Sequence, residues 1–397
     1  MKPSPYDRNI PLVFAMNALW MFLVLMPVIV PFYQDLGLDM RAIYTLQAAF
    51  GAALFVLEVP SGYAADLFGR KATLMLATLF HGLGFAIFAF AHGFPALLAG
   101  EIVLAIAVSL FSGTDVSMIY DSMAASGSTK APIKMIGRKV FYQQLGETAG
   151  GLVGGWLVLW SLRLPVTVQA FVAWLPVLAV LAMVEPPRER MKRTAHRENL
   201  AYIRKSLFGH SALLSLVILN TVSFATATLI AVWAFQKYWQ TIGIGIAWFG
   251  YLWALSNLIV AITARYAHKL EKALGSAAAV SFMALLPVVG YLGMAWTDAA
   301  WGALFCTTFQ LSRGVNAVVM RDALNRRVNA DMRATANSVV SLGVRAAFLV
   351  GGPLAGWGMD RLGTAPVFTV AGAVFAAAFL FLTVPFLKLR REFAPIP

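Results

Sequence analysis

The sequence predicts an all-α integral membrane protein with twelve transmembrane helices in two six-helix, pseudo-symmetric halves. Composition is the first reason: 60% of the 397 residues are hydrophobic and 12% charged, with a mean hydropathy of +0.74. Apolar runs of about 20 residues, the length that crosses the hydrocarbon of a bilayer, recur from one end to the other. The second reason is an internal echo. Gly150-Gly151-Leu152-Val153-Gly154-Gly155-Trp156 returns half a chain later as Gly351-Gly352-Pro353-Leu354-Ala355-Gly356-Trp357, and the same offset lays Gly113, Asp115 and Asp121 on Gly314, Asn316 and Asp322. The third is the placement of basic residues. Most of the 31 Lys and Arg fall in alternate inter-helix segments: Lys2 and Arg8, Arg70 and Lys71, Lys130 to Lys139, Arg188 to Lys205, Arg265 to Lys272, Arg321 to Arg333, and Lys388 to Arg391. The positive-inside rule then places both termini in the cytoplasm and accounts for the net charge of +13 without nucleic acid.

Spans are expected at 11–33, 42–65, 72–92, 95–121, 138–161 and 164–184, and again at 211–236, 244–266, 275–296, 299–322, 335–359 and 364–387. The halves are therefore residues 1–185 and 211–397, joined by a cytoplasmic linker at 186–210. Pro186 and Pro187 end the sixth span, and residues 199–208 read either as a short amphipathic helix on anionic lipid or as a solvated tether. The first apolar stretch is too long for a signal-peptide core and is taken as the first span. Cys306, the single cysteine, permits no intrachain disulfide and reads as a small apolar packer. The expected location is a bacterial inner (plasma) membrane.

Polar and ionisable groups within spans are costly, so each is a functional candidate. Along the chain they begin with Asn17 and Trp20 in the first span and Glu58 in the second. The turn that follows, Gly62-Tyr63-Ala64-Ala65-Asp66-Leu67-Phe68-Gly69-Arg70-Lys71, joins flexible glycines to an acid and two bases able to exchange partners. His81 in the third span is either a proton relay or a hydrogen-bonded core histidine. Glu101 and Asp115 lie about four turns apart on the fourth span, hence on nearly one face, and Asp121 ends it. The fifth span carries Tyr142, Gln143, Gln144 and Glu147, the acid lying about 15 Å deep and thus near the midplane. Its glycines at i and i+4 permit close helix approach. In the second half stand Asn220 and Thr226, Trp253 and Asn257, then Gln310, Arg313 and Asn316 on one span, Asp322 at its end, and Arg345 on the next. A carboxylate deprived of water is relieved by protonation, so Glu147, Asp115, Glu58 and Glu101 are candidates to load and release a proton. The aromatic and amide side chains suit an amphipathic organic molecule, although packing accounts for any single tryptophan equally well. No nucleophile elbow, phosphate loop or metal-spaced cluster is present, so an enzyme is not expected.

The 62–71 segment resembles the hallmark loop between the second and third helices of the major facilitator superfamily, keeping its Gly, Asp, Gly, Arg, Lys pattern with Leu67 where the family places a base. The resemblance extends over the whole chain through twelve helices, a long central loop and the half-chain repeat. The equivalent loop of the second half, Arg265-Tyr266-Ala267-His268-Lys269-Leu270-Glu271-Lys272, keeps charge but not glycine. Gly146 to Gly155 resembles the family's antiporter motif, with Gly151 in place of its proline and Gly352-Pro353 at the matching place in the other half. The resemblance implies halves that rock about a central cavity lined by helices 1, 4, 7 and 10, with helices 2 and 11 facing each other and Glu58 paired with Arg345. It places Arg313 on a cavity-lining helix, to bind a substrate anion or form an internal salt bridge. Gly62, Asp66, Gly69, Arg70 and Lys71 with Asp121, and Asp322 by symmetry, become gating residues, Asp66, Arg70 and Asp121 forming an ionic lock.

The function so implied is proton-coupled export of a small amphipathic or anionic organic molecule by a transporter working as a monomer. Its energy source is the proton gradient, and no cofactor or metal is expected. Its partners are a small-molecule substrate, protons and membrane lipid. Proton symport of an organic anion or metal-chelating acid such as a siderophore is the alternative. A receptor or scaffold that binds without net flux is the alternative of another class.

Overall fold

The computed structural model describes residues 4–127, 132–187, 212–325, 327 and 333–389. The linker beyond residue 187, its amphipathic segment, and the basic residues Lys2, Lys130, Arg188 to Lys205, Arg326, Arg390 and Arg391 lie outside the described residues. Every regular element among those described is helical, and each expected span is met by one helix or by two or three helical pieces. Contacts divide the chain into two compact units, Met1–Lys192 with Gly245–Asn257, and Arg193–Ile244 with Leu258–Pro397.

The first unit holds α1 (Asn9–Trp20), α2 (Ile29–Asp35), α3 (Met40–Phe68), α4 (Arg70–Ala89), α5 (Phe94–Phe111), α6 (Thr114–Ala125), α7 (Pro132–Leu157), α8 (Arg163–Val172) and α9 (Leu175–Ala182). In the second unit are α10 (Ala212–Thr241), most of α11 (Phe249–Leu274), α12 (Ser276–Trp296), α13 (Leu304–Asn325), α14 (Arg333–Leu362), α15 (Thr364–Ala378) and α16 (Val384–Leu389). The core of the first unit joins Val13, Met16, Trp20, Leu74, Phe111, Met118 and Val180. That of the second joins Val217, Phe224, Met283, Val315, Met320 and Phe386. Long apolar side chains such as Phe171, Leu178, Val350, Val370 and Phe381 are exposed, which is the surface a bilayer covers.

Among the described residues nine helices are long and apolar enough to cross a membrane. The expected first, fifth and tenth spans do not meet that measure. The first is a shorter apolar helix, Asn9–Trp20, and the other two carry the polar residues singled out above.

Three spans are broken close to a proline, Pro27, Pro176 and Pro385, and a buried polar side chain repairs each break. Between α1 and α2 the chain leaves the helix at Met21 and re-forms through a 3-10 turn, Met26–Val28. There the amides of Val24 and Leu25 donate to Gln169 Oε1 at 2.6 and 3.4 Å. The α8–α9 break leaves the Ala173 carbonyl without a helical partner, and His81 Nδ1 lies 3.0 Å from it. The last span relaxes into a π-helix at Phe379–Thr383. Asn220 Nδ2 donates to the Leu382 carbonyl at 3.1 Å, and Thr383 Oγ1 donates to Asn220 Oδ1 at 2.7 Å. Backbone groups in hydrocarbon have no water to turn to, so a broken helix needs a side chain to satisfy it.

The fourth span also breaks, at Ser112–Gly113, where Gly113 adopts φ +81°. This corrects the expectation that Glu101 and Asp115 share one helical face: they stand on separate helices, α5 and α6. A second correction concerns the 62–71 segment. It is not a loop, because α3 continues to Phe68 and the reversal is made at Gly69 alone, with φ +105°.

Candidate functional site

The fifth and tenth spans are polar for different reasons. One face of α7 is Gly146, Gly150 and Gly154, lying on the backbone of the first span. A Cβ at Gly150 would come 2.6 Å from the Leu23 nitrogen, and one at Gly146 or Gly154 would meet the carbonyls of Ala18 or Val24. Gly151 and Gly155 turn to the first turns of α11, where a Cβ at Gly155 would stand 2.6 Å from Gly250 Cα. These glycines therefore serve close helix packing, and with Gly151 in place of proline α7 runs unbroken from Pro132 to Leu157.

Helix α13 is fixed on two nearly opposite sides. Ser312 Oγ donates to the Met283 carbonyl of α12 at 2.9 Å, and a Cβ at Gly314 would come 2.7 Å from Thr263 of α11. The side that remains carries Gln310, Arg313 and Asn316 at successive three-residue steps. Arg313 is exposed and makes no hydrogen bond or ion pair among the described residues. Gln310 Oε1 and Asn316 Oδ1 on either side of it are buried acceptors without a donor. On α10, which packs against α13, Thr226 Oγ1 is likewise buried and unbonded. A lone guanidinium flanked by empty acceptors can hold a ligand that offers both an anion and a donor.

Other expected binding residues fare differently. Trp20 is sandwiched between His81 and Phe111, with ring centroids 4.1 and 4.0 Å away, and belongs to the core. Asn220 spends its amide on the π-helix and on Leu216 O, which gives it a structural duty. Tyr142 stacks on Phe14 at 5.3 Å, and Gln143 and Gln144 beside it are half-buried. Asn17 donates to Val13 O while its Oδ1 goes unbonded. Trp253 Nε1 and Asn257 Nδ2, one turn apart on α11 and in the first unit, are buried donors lacking acceptors.

Among the acids, Asp115 Oδ2 accepts from Lys139 Nζ at 2.7 Å, a nearly closed pair with side chains 2% and 12% exposed. Glu101 Oε1 accepts from Tyr33 Oη at 2.8 Å and Gln47 Nε2 at 2.5 Å. Glu58 is exposed and Glu147 buried; neither they nor Arg345 is without a partner.

Of the gating residues, Arg70 Nε meets Asp121 Oδ2 at 3.0 Å. The side chain of Asp66 lies outside the described ones, and Gly62 lies within α3. Asp322 is exposed at the last turn of α13 and has a partner. The residue that sequence reasoning missed is Glu185. Its Oε1 and Oε2 accept from the backbone N–H groups of Arg70 and Lys71 at 2.8 and 2.7 Å, capping the N-terminus of α4. Lys71 Nζ donates to Leu181 O at 3.0 Å. Gly69 makes room for this cap, because a Cβ there would come 2.7 Å from Glu185 Oε1. Asn9, fully buried, bonds Ser122 Oγ and both backbone groups of Val184, so it holds the chain next to Glu185 in place. An acid before Pro-Pro was the only sequence signal, and it named no partner. No group of three or more His, Cys, Asp or Glu that would hold a metal occurs among the described residues.

The sequence profile of the Major Facilitator Superfamily matches residues 12–332. The chain belongs to that superfamily. Its fold agrees: the chain superposes on the nucleoside transporter NupG, in a mutant form, with a TM-score of 0.76 at 13% identity, covering 97% of this chain and 100% of that one. It superposes on a peptide transporter POT mutant at 0.75 and 13% identity, over 98% and 95% of the two chains. A bacterial homolog of the human lysosomal transporter Spinster gives 0.71 and 16%, over 99% and 96%. In sequence it is 21% identical over 261 residues to an uncharacterized MFS-type transporter of Methanocaldococcus jannaschii, and 24% identical over 246 residues to the uncharacterized MFS-type transporter YxaM of Bacillus subtilis. These matches cover 63% and 59% of this chain, which spans 64% and 60% of the two relatives. This major facilitator protein is thus an integral membrane protein of a transporter superfamily, not of an enzyme superfamily.

Proposed function

We propose that the chain is a secondary active transporter that exports a small organic molecule bearing an acidic group, by alternating access, in exchange for protons. The observation that carries this reading is Arg313, a guanidinium within a span that has no carboxylate partner among the described residues and is flanked by Gln310 Oε1 and Asn316 Oδ1, acceptors unbonded among the same residues. A cation in that position calls for an anion to complete it, and the amide oxygens select a ligand that also carries donors. The test is a thermal-shift screen of organic acids, drugs, sugars and siderophores on wild type and Arg313→Ala. Acidic compounds should stabilise the wild type only, and equal stabilisation of both proteins would remove the anion role.

Direction is read in proteoliposomes with an imposed pH gradient. Exchange sends substrate toward the acidic side, against the flow of protons. Symport of an organic anion or metal-chelating acid is the second reading, favoured by Gly151 standing where the antiporter motif has proline, and it sends substrate toward the alkaline side. Binding with no counterflow would instead mark a receptor.

A further inference from the structure

Four acids are candidates to load a proton under the proposed function, and one of them has an environment unlike that of its neighbours. Glu101 is 4% exposed, midway along α5. Its two hydrogen bonds both arrive at Oε1, from the phenol of Tyr33 on α2 and the amide of Gln47 on α3. Oε2 makes no hydrogen bond among the described residues, and neither donor carries a charge.

The charged and titratable groups on the surrounding elements are occupied elsewhere or lie at the ends. His81 on α4 bonds Ala173, Arg70 pairs with Asp121, Lys71 bonds Leu181, and Asp115 on α6 pairs with Lys139. Tyr44 on α3 is fully buried, while Arg41 at the start of α3 and His92 between α4 and α5 are exposed. None of them bonds Glu101.

From this arrangement we infer that Glu101 is the carboxyl that carries the transported proton, on Oε2, and that Tyr33 reports its state to the outer piece of the first span. The inference rests on the proton coupling proposed above. Its chemistry balances simply. A proton from water adds to Oε2 of the carboxylate, leaving Oε1 a carbonyl that keeps both donors, and the reverse step returns the proton to water.

What changes is the strength of those two bonds, since a hydrogen bond to a carboxylate is roughly twice as strong as one to a neutral carbonyl. Tyr33 is fully buried and also packs edge-on against Phe88 at 6.0 Å. It sits on a seven-residue helix that the break after Trp20 separates from α1. Loss of charge at Glu101 therefore slackens one tether of a piece already uncoupled from its neighbour. Asp115, closed by Lys139 at 2.7 Å, has no comparable vacant oxygen to load.

The test needs no substrate, so it fails separately from the transport reading. Infrared pH-difference spectra would be recorded on the full chain in lipid vesicles, for wild type, Glu101→Gln and Tyr33→Phe. A protonated-carboxyl C=O band should appear on acidification in wild type, vanish in Glu101→Gln, and shift in frequency in Tyr33→Phe as one donor is lost. The same band surviving in Glu101→Gln would overturn the assignment. An unshifted band in Tyr33→Phe would overturn the link to the first span. If Glu101→Gln does not fold, Gln47→Leu replaces it, and an unmoved band there also counts against the proposal.

Discussion

Arg313 and Asp115, both charges within expected spans, have opposite fates. Asp115 is closed by Lys139, and removing one partner of such a pair strands the other in low dielectric. Asp115→Asn should therefore cost about 3 kcal/mol or more of stability, with much of it restored when Lys139→Met is added, as a double-mutant thermal series would show. Arg313 has no such partner, so Arg313→Ala should leave stability nearly unchanged. Loss of a charge-assisted hydrogen bond of about 1.5–3 kcal/mol should weaken binding of acidic compounds by roughly 10- to 100-fold. Sequence placed both residues as functional candidates with equal force. Only the pairing separates them, because Lys139 was counted among the cytoplasmic bases and its reach to Asp115 is a property of how α6 and α7 pack. Asn220 and His81 teach the same lesson: a polar residue in a span answers first to broken backbone nearby, and that backbone is not visible in a hydropathy pattern.

At the level of helices, glycine spacing decides which faces touch. Gly150→Leu drives a side chain into the backbone of the first span and should abolish a monodisperse peak in size-exclusion chromatography. Gly137→Ala, on the same helix with nothing within 4 Å and no positive φ, should be neutral or gain up to about 1 kcal/mol. The cap on α4 offers a second handle. Glu185→Ala leaves the Arg70 and Lys71 amides without their acceptor, so their hydrogen exchange should quicken about tenfold for a loss near 1.4 kcal/mol. An unchanged rate would show the cap to be idle. Apolar runs place the helical segments in order, yet the interruption at Gly113 is not legible in them, since it carries no stronger breaker signal than glycines that stay helical.

Across the molecule, nine helices among the described residues are long and apolar enough to cross a membrane; the expected first span falls short in helix length, and the fifth and tenth are the polar exceptions. In a translocon insertion assay residues 132–157 should insert poorly alone and better when co-expressed with the first span, against which their glycine face lies. Equal insertion in both settings would show that helix packing plays no part. The fifth and tenth spans carry three expected binding residues each, more than any other span, which ties the cost of burying polar groups to the place where substrate contacts are expected.

The linear pattern specifies the membrane, the all-helical class and the internal repeat, because these follow from composition and period, quantities summed along the chain. It marks Arg313 as well, since a charge inside an apolar run stands out without any neighbour. Which acid is left with a vacant oxygen, which amide mends a break and which glutamate caps α4 emerge only when distant segments meet. Hydrogen bonds act over about 3 Å, and Glu185 reaches α4, or Tyr33 reaches Glu101, across many tens of residues that carry no record of the encounter.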